Sequence, residues 1–438
     1  MPITLFADSP DFEPRFAAFL TQKRENDPDV VADVAAILAQ VAADGDAALV
    51  DMTRRYDGFD PTATGLAFSK AEIAAAIANV PDDQRAALEL AAERIRDYHA
   101  RQLPRDESWT DAHGAELGWR WTPVDVAGLY VPGGLASYPS SVLMNAIPAK
   151  VAGVEKLVVT APTPKGKFNP LVLLAAELAG VDHVFRIGGA QAIGAMAYGT
   201  ATVPRADIVT GPGNAFVAAA KRQVFGQVGI DMIAGPSEIL VIADDTADPD
   251  WIALDLMSQA EHDESAQAIL ITDSVELARS VAGAVDARLQ TLERRAVAEA
   301  SWRDFGAIIV VGDMDQAARL SDRIAPEHLE LCTQDPDALL RRVRHAGAIF
   351  LGSWTPEAIG DYVGGPNHVL PTARSARFAS GLSVLDFMKR TTIARMTPAS
   401  LKAVGPAAET LARSEGLEAH GLSVTARLER LNQGADDD

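Results

Sequence analysis

The stretch VEKLVVTAPTPKGKFNPLVLLAAELAGVDHVFRIGGAQAIGAMAYG, residues 154–199, alternates short β-branched runs with longer runs rich in Ala and Leu. The runs VEKLVVTAP and VDHVFRIGG have the length and composition of strands, whereas NPLVLLAAELAG and AQAIGAMAYG are typical of helices. Strands that alternate with helices of this length indicate a parallel sheet covered on both faces. We therefore predict an α/β fold.

The same alternation recurs further along the chain. A second series begins at residue 237 and contains SEILVIAD, PDWIALDLMSQAEH, SAQAILITD, VELARSVAGAVDARLQTLERR and GAIIVVGD. Two consecutive series predict two similar domains that face a cleft, with ligand sites beyond the carboxyl ends of the strands. Residues 27–100 repeat apolar side chains at helical spacing, and the last sixty residues predict a helical extension.

Composition excludes several classes of function. The chain has 438 residues, of which 48% are hydrophobic, and its 39 basic and 60 acidic residues give a net charge of −21. A surface this acidic repels phosphate backbones and anionic lipids. We therefore expect no nucleic-acid partner and no membrane partner. The start of the chain lacks a basic and apolar leader, and no apolar run is long enough to span a bilayer. We therefore expect a cytoplasmic protein.

Cys332 is the single cysteine of the chain. One cysteine excludes an intramolecular disulfide, a CxxC redox pair and a zinc site built from thiolates. Its neighbours Leu329 and Leu331 are apolar and no cation stands nearby to stabilise a thiolate, which indicates a packing role. Any metal ligands must then be histidine, carboxylate or amide groups.

Gln259 and His262 stand at the predicted end of a helix. Residues three apart lie about 60° apart around a helix, so both side chains can face one point, as metal ligands do. An ordinary helix C-terminus, with the histidine at the negative end of the dipole, explains the two residues as well. From these residues alone, the ordinary helix C-terminus is favoured over a pair of metal ligands.

Glu327 and His328 are adjacent and precede an apolar run. A carboxylate beside an imidazole offers two bases, which suits a reaction with two proton transfers. A polar turn is the alternative, and adjacency alone favours it.

Polar residues in the last third of the chain leave similar alternatives. Asp361 precedes a Gly-Gly-Pro turn and is a candidate oxygen ligand for a metal, although turn chemistry explains the glycines equally well. Glu415 and His420, taken alone, fit an exposed helix face.

Three loops of the first series suggest a cofactor site. Tyr130 ends a strand before a Pro-Gly-Gly turn, while Gln191 and Asn214 open helices behind glycines, where phosphates bind. A GxGxxG motif with a downstream acidic residue is missing, so the ordinary dinucleotide fingerprint is absent. The residues alone therefore indicate an anion or cofactor site without identifying its ligand.

Five stretches, in this order along the chain, resemble the histidinol dehydrogenase family: YVPGGLASYPSSVLMNAIPAKVAGV, GPGNAFVAAAKRQVFGQVGIDMIAGPSE, SQAEHDESAQ, APEHLEL and GDYVGGPNHVLPTARSARFASGLSV. The resemblance runs from about residue 27 to residue 425. It implies the last enzyme of histidine biosynthesis, which oxidises L-histidinol to L-histidine through L-histidinaldehyde and consumes two NAD.

The resemblance also implies roles for individual residues. His328 is expected to be the general base of both oxidations, and Glu327 is expected to activate the water that hydrates the aldehyde. One zinc ion per subunit is expected to be held by Gln259, His262, Asp361 and His420. Substrate contacts are expected from Ser237, Gln259, His262, His328, Asp361, Glu415 and His420. NAD contacts are expected from Tyr130, Gln191 and Asn214. His368 is left as a structural residue or a neighbour of a ligand.

The domain organisation implied by the resemblance has four parts. Residues 1–26 are expected to form an N-terminal extension, and residues 27–129 with 238–382 a first, incomplete Rossmann-like domain that carries the zinc and catalytic residues. Residues 130–237 are expected to form a similar domain on the NAD side. Residues 383–438 are expected to be a tail that crosses to the partner in a homodimer with shared active sites.

Three alternatives remain open at this point. One keeps the zinc and NAD scaffold but oxidises another polar alcohol. A second is a zinc hydrolase in which Glu327 or His328 activates a metal-bound water, although the sequence contains no HExxH motif. A third is a two-domain binding protein without chemistry.

Overall fold

The structure, a computed structural model, describes residues 2–22, 28–133, 138–233 and 235–433. The chain divides into two units. The first contains the residues up to Gln102 together with Val124–Phe387. The second contains Leu103–Pro123 and the chain from Met388 onward.

The strands are, in chain order, β1 (Ile3–Phe6), β2 (Glu107–Thr110), β3 (Glu116–Pro123), β4 (Val126–Tyr130), β5 (Lys156–Ala161), β6 (His183–Arg186), β7 (Ile208–Thr210), β8 (Gly229–Ile230), β9 (Glu238–Ala243), β10 (Gln267–Thr272), β11 (Ala307–Val310), β12 (His328–Cys332), β13 (Ala348–Leu351) and β14 (Met388–Arg395).

The α-helices are α1 (Phe12–Thr21), α2 (Pro28–Asp44), α3 (Asp46–Met52), α4 (Lys70–Ile77), α5 (Asp82–Ala100), α6 (Pro139–Ala152), α7 (Pro170–Ala179), α8 (Gly189–Tyr198), α9 (Ala215–Val224), α10 (Pro249–Ala260), α11 (Val275–Leu289), α12 (Arg295–Phe305), α13 (Met314–Ile324), α14 (Pro336–Leu340), α15 (Glu357–Tyr362), α16 (Pro398–Ser414) and α17 (Glu418–Gln433). Among the described residues, no helix is both long and apolar enough to cross a bilayer.

A five-stranded parallel sheet lies in the first unit, in the order β6-β5-β4-β7-β8. Helices α6 and α8 pack against its strands, and Leu129, Val158 and Val209 are fully buried. Numbered within the sheet, the strand order is 3-2-1-4-5, which is the order of the Rossmann fold.

A six-stranded parallel sheet, in the order β1-β11-β10-β9-β12-β13, also lies in the first unit. Every residue of β9 and of β10 is buried. Apart from β1, this sheet repeats the order 3-2-1-4-5, so the two sheets are similar. The predicted α/β class with parallel sheets is confirmed.

The boundaries of the sheets differ from the expected domains. Residues 3–6 were expected in a separate extension but form an edge strand of the six-stranded sheet. Their backbone pairs with β11, and the Leu5 side chain on this strand is fully buried. Residues 23–27 of that extension lie outside the described part of the chain. A boundary at residue 129 would cut β4, which belongs wholly to the five-stranded sheet.

Helix α2 covers the five-stranded sheet, although the sequence analysis assigned it to the other domain. Its buried residues Val34, Leu38 and Val41 pack in one core with Ile193 and Val217 of α8 and α9. Gly194 allows this contact, because a Cβ there would lie 3.0 Å from the Leu38 side chain. The helical periodicity was predicted correctly, but periodicity does not specify which sheet a helix covers.

The second unit combines an antiparallel sheet with two helices. Strand β3 pairs with β2 and with β14, in the order β14-β3-β2. The last sixty residues were expected to form a helical extension, but Met388–Arg395 is a strand that pairs along its length with β3. Helices α16 and α17 then pack against each other, with Gly405 close to Val424 and Leu428.

Candidate active site

The backbone of one residue, Glu238, contacts both residues of the Glu327–His328 pair. The backbone N–H of Glu238 donates to Glu327 Oε2 at 2.9 Å, and the Glu238 carbonyl lies 2.9 Å from His328 Nδ1. These contacts follow from the parallel pairing of β9 with β12, in which His328 is the neighbour of Ile239. Because Nδ1 must donate to the carbonyl, the neutral ring carries its lone pair on Nε2.

The pair lies at the amino end of its strand, just before the apolar run as the sequence indicated, but not at the carboxyl edge where parallel sheets usually bind ligands. Sequence analysis placed ligand sites at the carboxyl ends of the strands, yet His328 is the first residue of β12 and Glu238 the first of β9. At the carboxyl ends of β9, β10 and β11 stand Asp244, Asp273 and Asp313. The charges of Asp244 and Asp313 add to burial in raising the pKa of Asp273, so that end is strongly acidic.

Helix α15 brings two carboxyl groups to His328. Glu357 and Asp361 are four residues apart on one helix face, and ligand atoms of both lie within 4.8 Å of one another and of a His328 nitrogen. His328 Nε2 is 3.7 Å from Glu357 Oε1, and Asp361 Oδ1 is 3.6 Å from His368 Nδ1. An imidazole with two carboxylates can hold a divalent cation. Glu357 was not predicted as a site residue, although its helical spacing from Asp361 was a usable signal.

The environment sets different protonation states for these groups. Burial and the neighbouring Asp361 raise the pKa of Glu357 to about 9. Burial acts to raise the pKa of Asp361 as well, but the hydrogen bond from His368 and the nearby imidazoles bring it down to about 2. Burial lowers the pKa of His328 and raises that of Glu327. Near neutral pH the site therefore contains a neutral imidazole and one firmly ionised carboxylate.

Gln259 and His262 lie together at the end of α10, as their spacing predicted. Gln259 Nε2 is 3.1 Å from His262 Nδ1. Gln259 is fully buried, and its Oε1 has no hydrogen-bond partner within the described chain, whereas His262 is exposed. His262 is close enough to His328 and Asp361 to influence the pKa of both, so these three side chains interact electrostatically.

The remaining predicted substrate residues lie in two places. Ser237 directly precedes Glu238 and is half-buried, and its carbonyl accepts a hydrogen bond from the Gln267 N–H at 3.0 Å. Glu415 follows α16 and His420 lies on α17, so both belong to the second unit, where they are exposed.

The predicted cofactor residues lie at the carboxyl ends of β4, β6 and β7. The Tyr130 hydroxyl accepts a hydrogen bond from the Gly189 N–H at 3.2 Å, at the start of α8, where Gln191 is buried. Asn214 caps α9, since its Oδ1 accepts from the backbone N–H groups at the first turn. Gly211 is required between them, because a Cβ there would lie 2.1 Å from the Tyr130 carbonyl oxygen. This is the edge at which Rossmann sheets bind nucleotides.

A buried ion pair fixes that glycine turn. Lys221 Nζ donates to the Gly211 carbonyl at 3.0 Å, and Asp231 Oδ2 accepts from the Gly211 N–H at 2.9 Å. Lys221 and Asp231 also contact each other directly, and their side chains are only 3% and 1% exposed. Neither residue was predicted as part of a site, since in the sequence they resemble an ordinary helix lysine and an ordinary loop aspartate.

Cys332 is buried, as predicted. Burial and the nearby carboxyl groups of Glu330 and Asp255 raise the pKa of its thiol, which therefore stays protonated. This supports the packing role and argues against a nucleophilic one.

The neighbouring pair Asp255 and Glu330 predicts a pH dependence. The two carboxyl groups are hydrogen-bonded, and burial raises the pKa of Asp255 to about 6 and that of Glu330 well above its usual 4.5. The folded state thus binds protons that the unfolded state releases above pH 4.5, so stability is lost as pH rises through the folded-state pKa. Changing Glu330→Gln should shrink the fall in unfolding free energy between pH 5 and pH 8 by about 1–3 kcal/mol.

Guanidinium unfolding of the metal-free protein at the two pH values checks this dependence. Gln retains an oxygen that can accept the Glu357 N–H, which lies 2.6 Å from Glu330 Oε1. The exposed Glu276→Gln variant is the control and should leave the dependence unchanged. An equal fall in unfolding free energy in wild type and in Glu330→Gln would show that the Asp255–Glu330 pair does not hold a proton in this pH range.

Comparison with known proteins agrees with the resemblance over nearly the full chain. The family model described as histidinol dehydrogenase matches residues 20–428. The chain is 71% identical over 434 residues to histidinol dehydrogenase of Cereibacter sphaeroides, covering 99% of this chain and 100% of that protein. Histidinol dehydrogenase of Ruegeria pomeroyi is 70% identical over 432 residues, covering 99% of this chain and 100% of the relative.

A solved structure shows the same fold. The crystal structure of histidinol dehydrogenase from Elizabethkingia anophelis matches with a TM-score of 0.94 and 35% identity, over 98% of this chain and 99% of that chain. The sequence identity and the structural match extend over both units described above. The protein belongs to the histidinol dehydrogenase family.

Proposed function

We propose that the protein is a zinc- and NAD-dependent oxidoreductase that converts L-histidinol to L-histidine through L-histidinaldehyde, the last step of histidine biosynthesis. Family membership supports the substrate and the reaction class. The observation that carries the mechanism is the pair of backbone contacts made by Glu238, which leave His328 Nε2 as a base within reach of buried carboxyl groups.

His328 serves as the base in both oxidations. In the first, Nε2 takes the hydroxyl proton as a hydride leaves the alcohol carbon, giving the aldehyde. In the second, Nε2 takes a hydroxyl proton from the aldehyde hydrate as a second hydride leaves, giving the acid. NAD supplies the hydride acceptor, one molecule for each oxidation. Burial lowers the pKa of His328, which keeps the ring neutral and available.

Glu327 serves the hydration step between the two oxidations. In its ionised form the carboxylate takes a proton from the water that adds to the aldehyde carbon, while protonated His328 returns its proton to the carbonyl oxygen, which gives the neutral hydrate and frees His328 for the second oxidation. Burial raises the pKa of Glu327, and a raised pKa makes the ionised form a better proton acceptor. The Glu238 N–H fixes one carboxylate oxygen, so the group cannot rotate away from the water.

The residues around Asp361 fit a zinc ion. Gln259 Oε1 is buried without a hydrogen-bond partner in the described chain, and Asp361 is ionised with a pKa of about 2. With His262, and with a His420 that we propose comes from the partner subunit, they would supply nitrogen and oxygen donors of the kind that zinc accepts. Zinc bound there would hold the imidazole and amino nitrogens of histidinol. Ser237 and Glu415 are proposed as further substrate contacts.

In this proposal the two sheets carry different parts of the active site. The five-stranded sheet, with Tyr130, Gln191 and Asn214, is the NAD side, and the six-stranded sheet carries the catalytic pair. The chain after Phe387 is proposed to bring Glu415 and His420 to the partner subunit in a cytoplasmic homodimer.

Replacing His420→Ala tests the metal assignment. Loss of one ligand should weaken zinc binding at least about tenfold, since even the outer partners of ligands contribute 10–100-fold. Zinc per subunit after dialysis, measured by atomic absorption, checks this. The control is His113→Ala, which removes another exposed histidine of the second unit. Unchanged zinc affinity in His420→Ala would remove this residue from the ligand set.

Mixing variants tests the shared site. A heterodimer of His420→Ala and Glu327→Gln subunits contains one complete site if the tail crosses to the partner, and none if each subunit keeps its own tail. Restored NADH production in a verified heterodimer is therefore expected. Its absence would reject the shared site.

A further inference from the structure

We propose that Asp57 binds the 2′-hydroxyl of the adenosine ribose of NAD and thereby sets the preference for NAD over NADP. This assignment rests on the proposed NAD function. It explains how the chain manages without the acidic residue of the ordinary dinucleotide fingerprint.

The strand order identifies where such an acidic residue must stand. In the five-stranded sheet, β4 takes the central place of the first Rossmann strand and β5 that of the second. In Rossmann domains the acidic residue that binds the ribose 2′-hydroxyl follows the second strand. Here β5 is followed by PTPKGK, residues 162–167, which contains no acidic residue.

Asp57 supplies a carboxylate at this place from another part of the chain. It ends the short π-helical turn Thr53–Asp57, and Gly58 follows with φ +63°. Asp57 Oδ2 accepts a hydrogen bond from the Thr163 N–H at 2.7 Å, two residues beyond the end of β5. The carboxylate therefore occupies the position that a fingerprint acid would have, although it is more than a hundred residues away in sequence.

The surroundings suit a sugar hydroxyl. Thr163 is fully buried and its Oγ1 has no hydrogen-bond partner among the residues that the structure describes. Asp57 is close enough for its charge to raise the pKa of Tyr130, which links it to the proposed cofactor residues. Pro162 packs against Gly188, where a Cβ would lie 2.5 Å from it, so the ends of β5 and β6 meet at this point.

Charge decides between the two dinucleotides. A carboxylate accepts a hydrogen bond from the 2′-hydroxyl of NAD but repels the 2′-phosphate of NADP. Lys165 and Lys167 are exposed on the same loop. Once the charge of Asp57 is removed, these lysines favour the phosphate.

The test compares Asp57→Asn with wild type. Asn keeps the shape and the oxygen that accepts the Thr163 N–H, but it carries no charge. The ratio of kcat/KM for NAD to that for NADP should fall by roughly 10–100-fold, the range expected when a hydrogen bond to a charged group is lost. Dissociation constants for NAD and NADP, measured by fluorescence without histidinol, should change in the same ratio.

Asp60→Asn is the matched control, because Asp60 is exposed three residues further on and pairs with Arg54. It should leave the ratio unchanged. Asp57→Ser provides the same test if Asp57→Asn does not fold. A folded variant whose affinities for NAD and NADP fall equally, or do not change, would overturn the assignment alone. Failure of wild type to bind NAD would overturn the proposed function as well.

Discussion

Asparagine in place of His328 is expected to lower kcat for histidinol oxidation by about 10²–10⁴-fold, the usual contribution of a general base. Asn can still donate to the Glu238 carbonyl, which His328 Nδ1 approaches at 2.9 Å, so the fold of the site should survive. Zinc content should stay near that of wild type, because His328 is assigned as the base. Steady-state kinetics and metal analysis on the same sample check both parts.

The zinc measurement separates two interpretations of the site. His328, Glu357 and Asp361 are close enough to hold a metal by themselves. If His328 is a ligand, His328→Asn will lose zinc together with activity, and the assignment as base is wrong. His345→Asn, a partly buried histidine elsewhere in the first unit, should change neither quantity.

Methionine in place of Lys221 is expected to lower the free energy of unfolding by about 3–5 kcal/mol. The Asp231 side chain is 1% exposed, so the variant leaves a buried carboxylate without its cation. The Gly211 carbonyl also loses its donor. Since this turn lies between Tyr130 and Asn214, the KM for NAD should rise as well. Denaturant unfolding and NAD kinetics measure the two effects.

Two further variants separate charge from packing. The double variant Lys221→Met with Asp231→Asn removes both charges and keeps an acceptor for the Gly211 N–H, so it should recover most of the stability. Lys150→Met breaks the exposed pair with Asp182 and should cost at most about 1 kcal/mol. A Lys221→Met variant as stable as Lys150→Met would show that the buried pair does not hold the turn.

Local sequence patterns predicted the helices and strands themselves better than they predicted which of them pair or pack together. Alternating strand and helix runs such as residues 154–199 indicated parallel sheets, because hydrophobic periodicity follows local backbone geometry. The placement of β1 beside β11 and of α2 on the five-stranded sheet depends on contacts between distant residues. No local pattern records such contacts.

In the candidate site, too, local spacing was predictable from the sequence, whereas contacts between distant residues were not. The spacing of Gln259 and His262 predicted that their side chains meet, and the structure places them 3.1 Å apart. The role of Glu238 was not predictable from its residue type, because its backbone makes the two hydrogen bonds. The position of Glu327 and His328 just before an apolar run was predicted correctly, whereas the general rule for parallel sheets favoured sites at the carboxyl ends of the strands, where the six-stranded sheet carries aspartates.

The most direct test of the proposed function is the number of NADH molecules formed per L-histidinol consumed, measured side by side on zinc-loaded and chelator-stripped protein. We predict two NADH per histidinol in the loaded protein and loss of the reaction on stripping. One NADH per histidinol, or none, or a yield of two that survives complete removal of the metal, would contradict a zinc-dependent four-electron oxidation at this site.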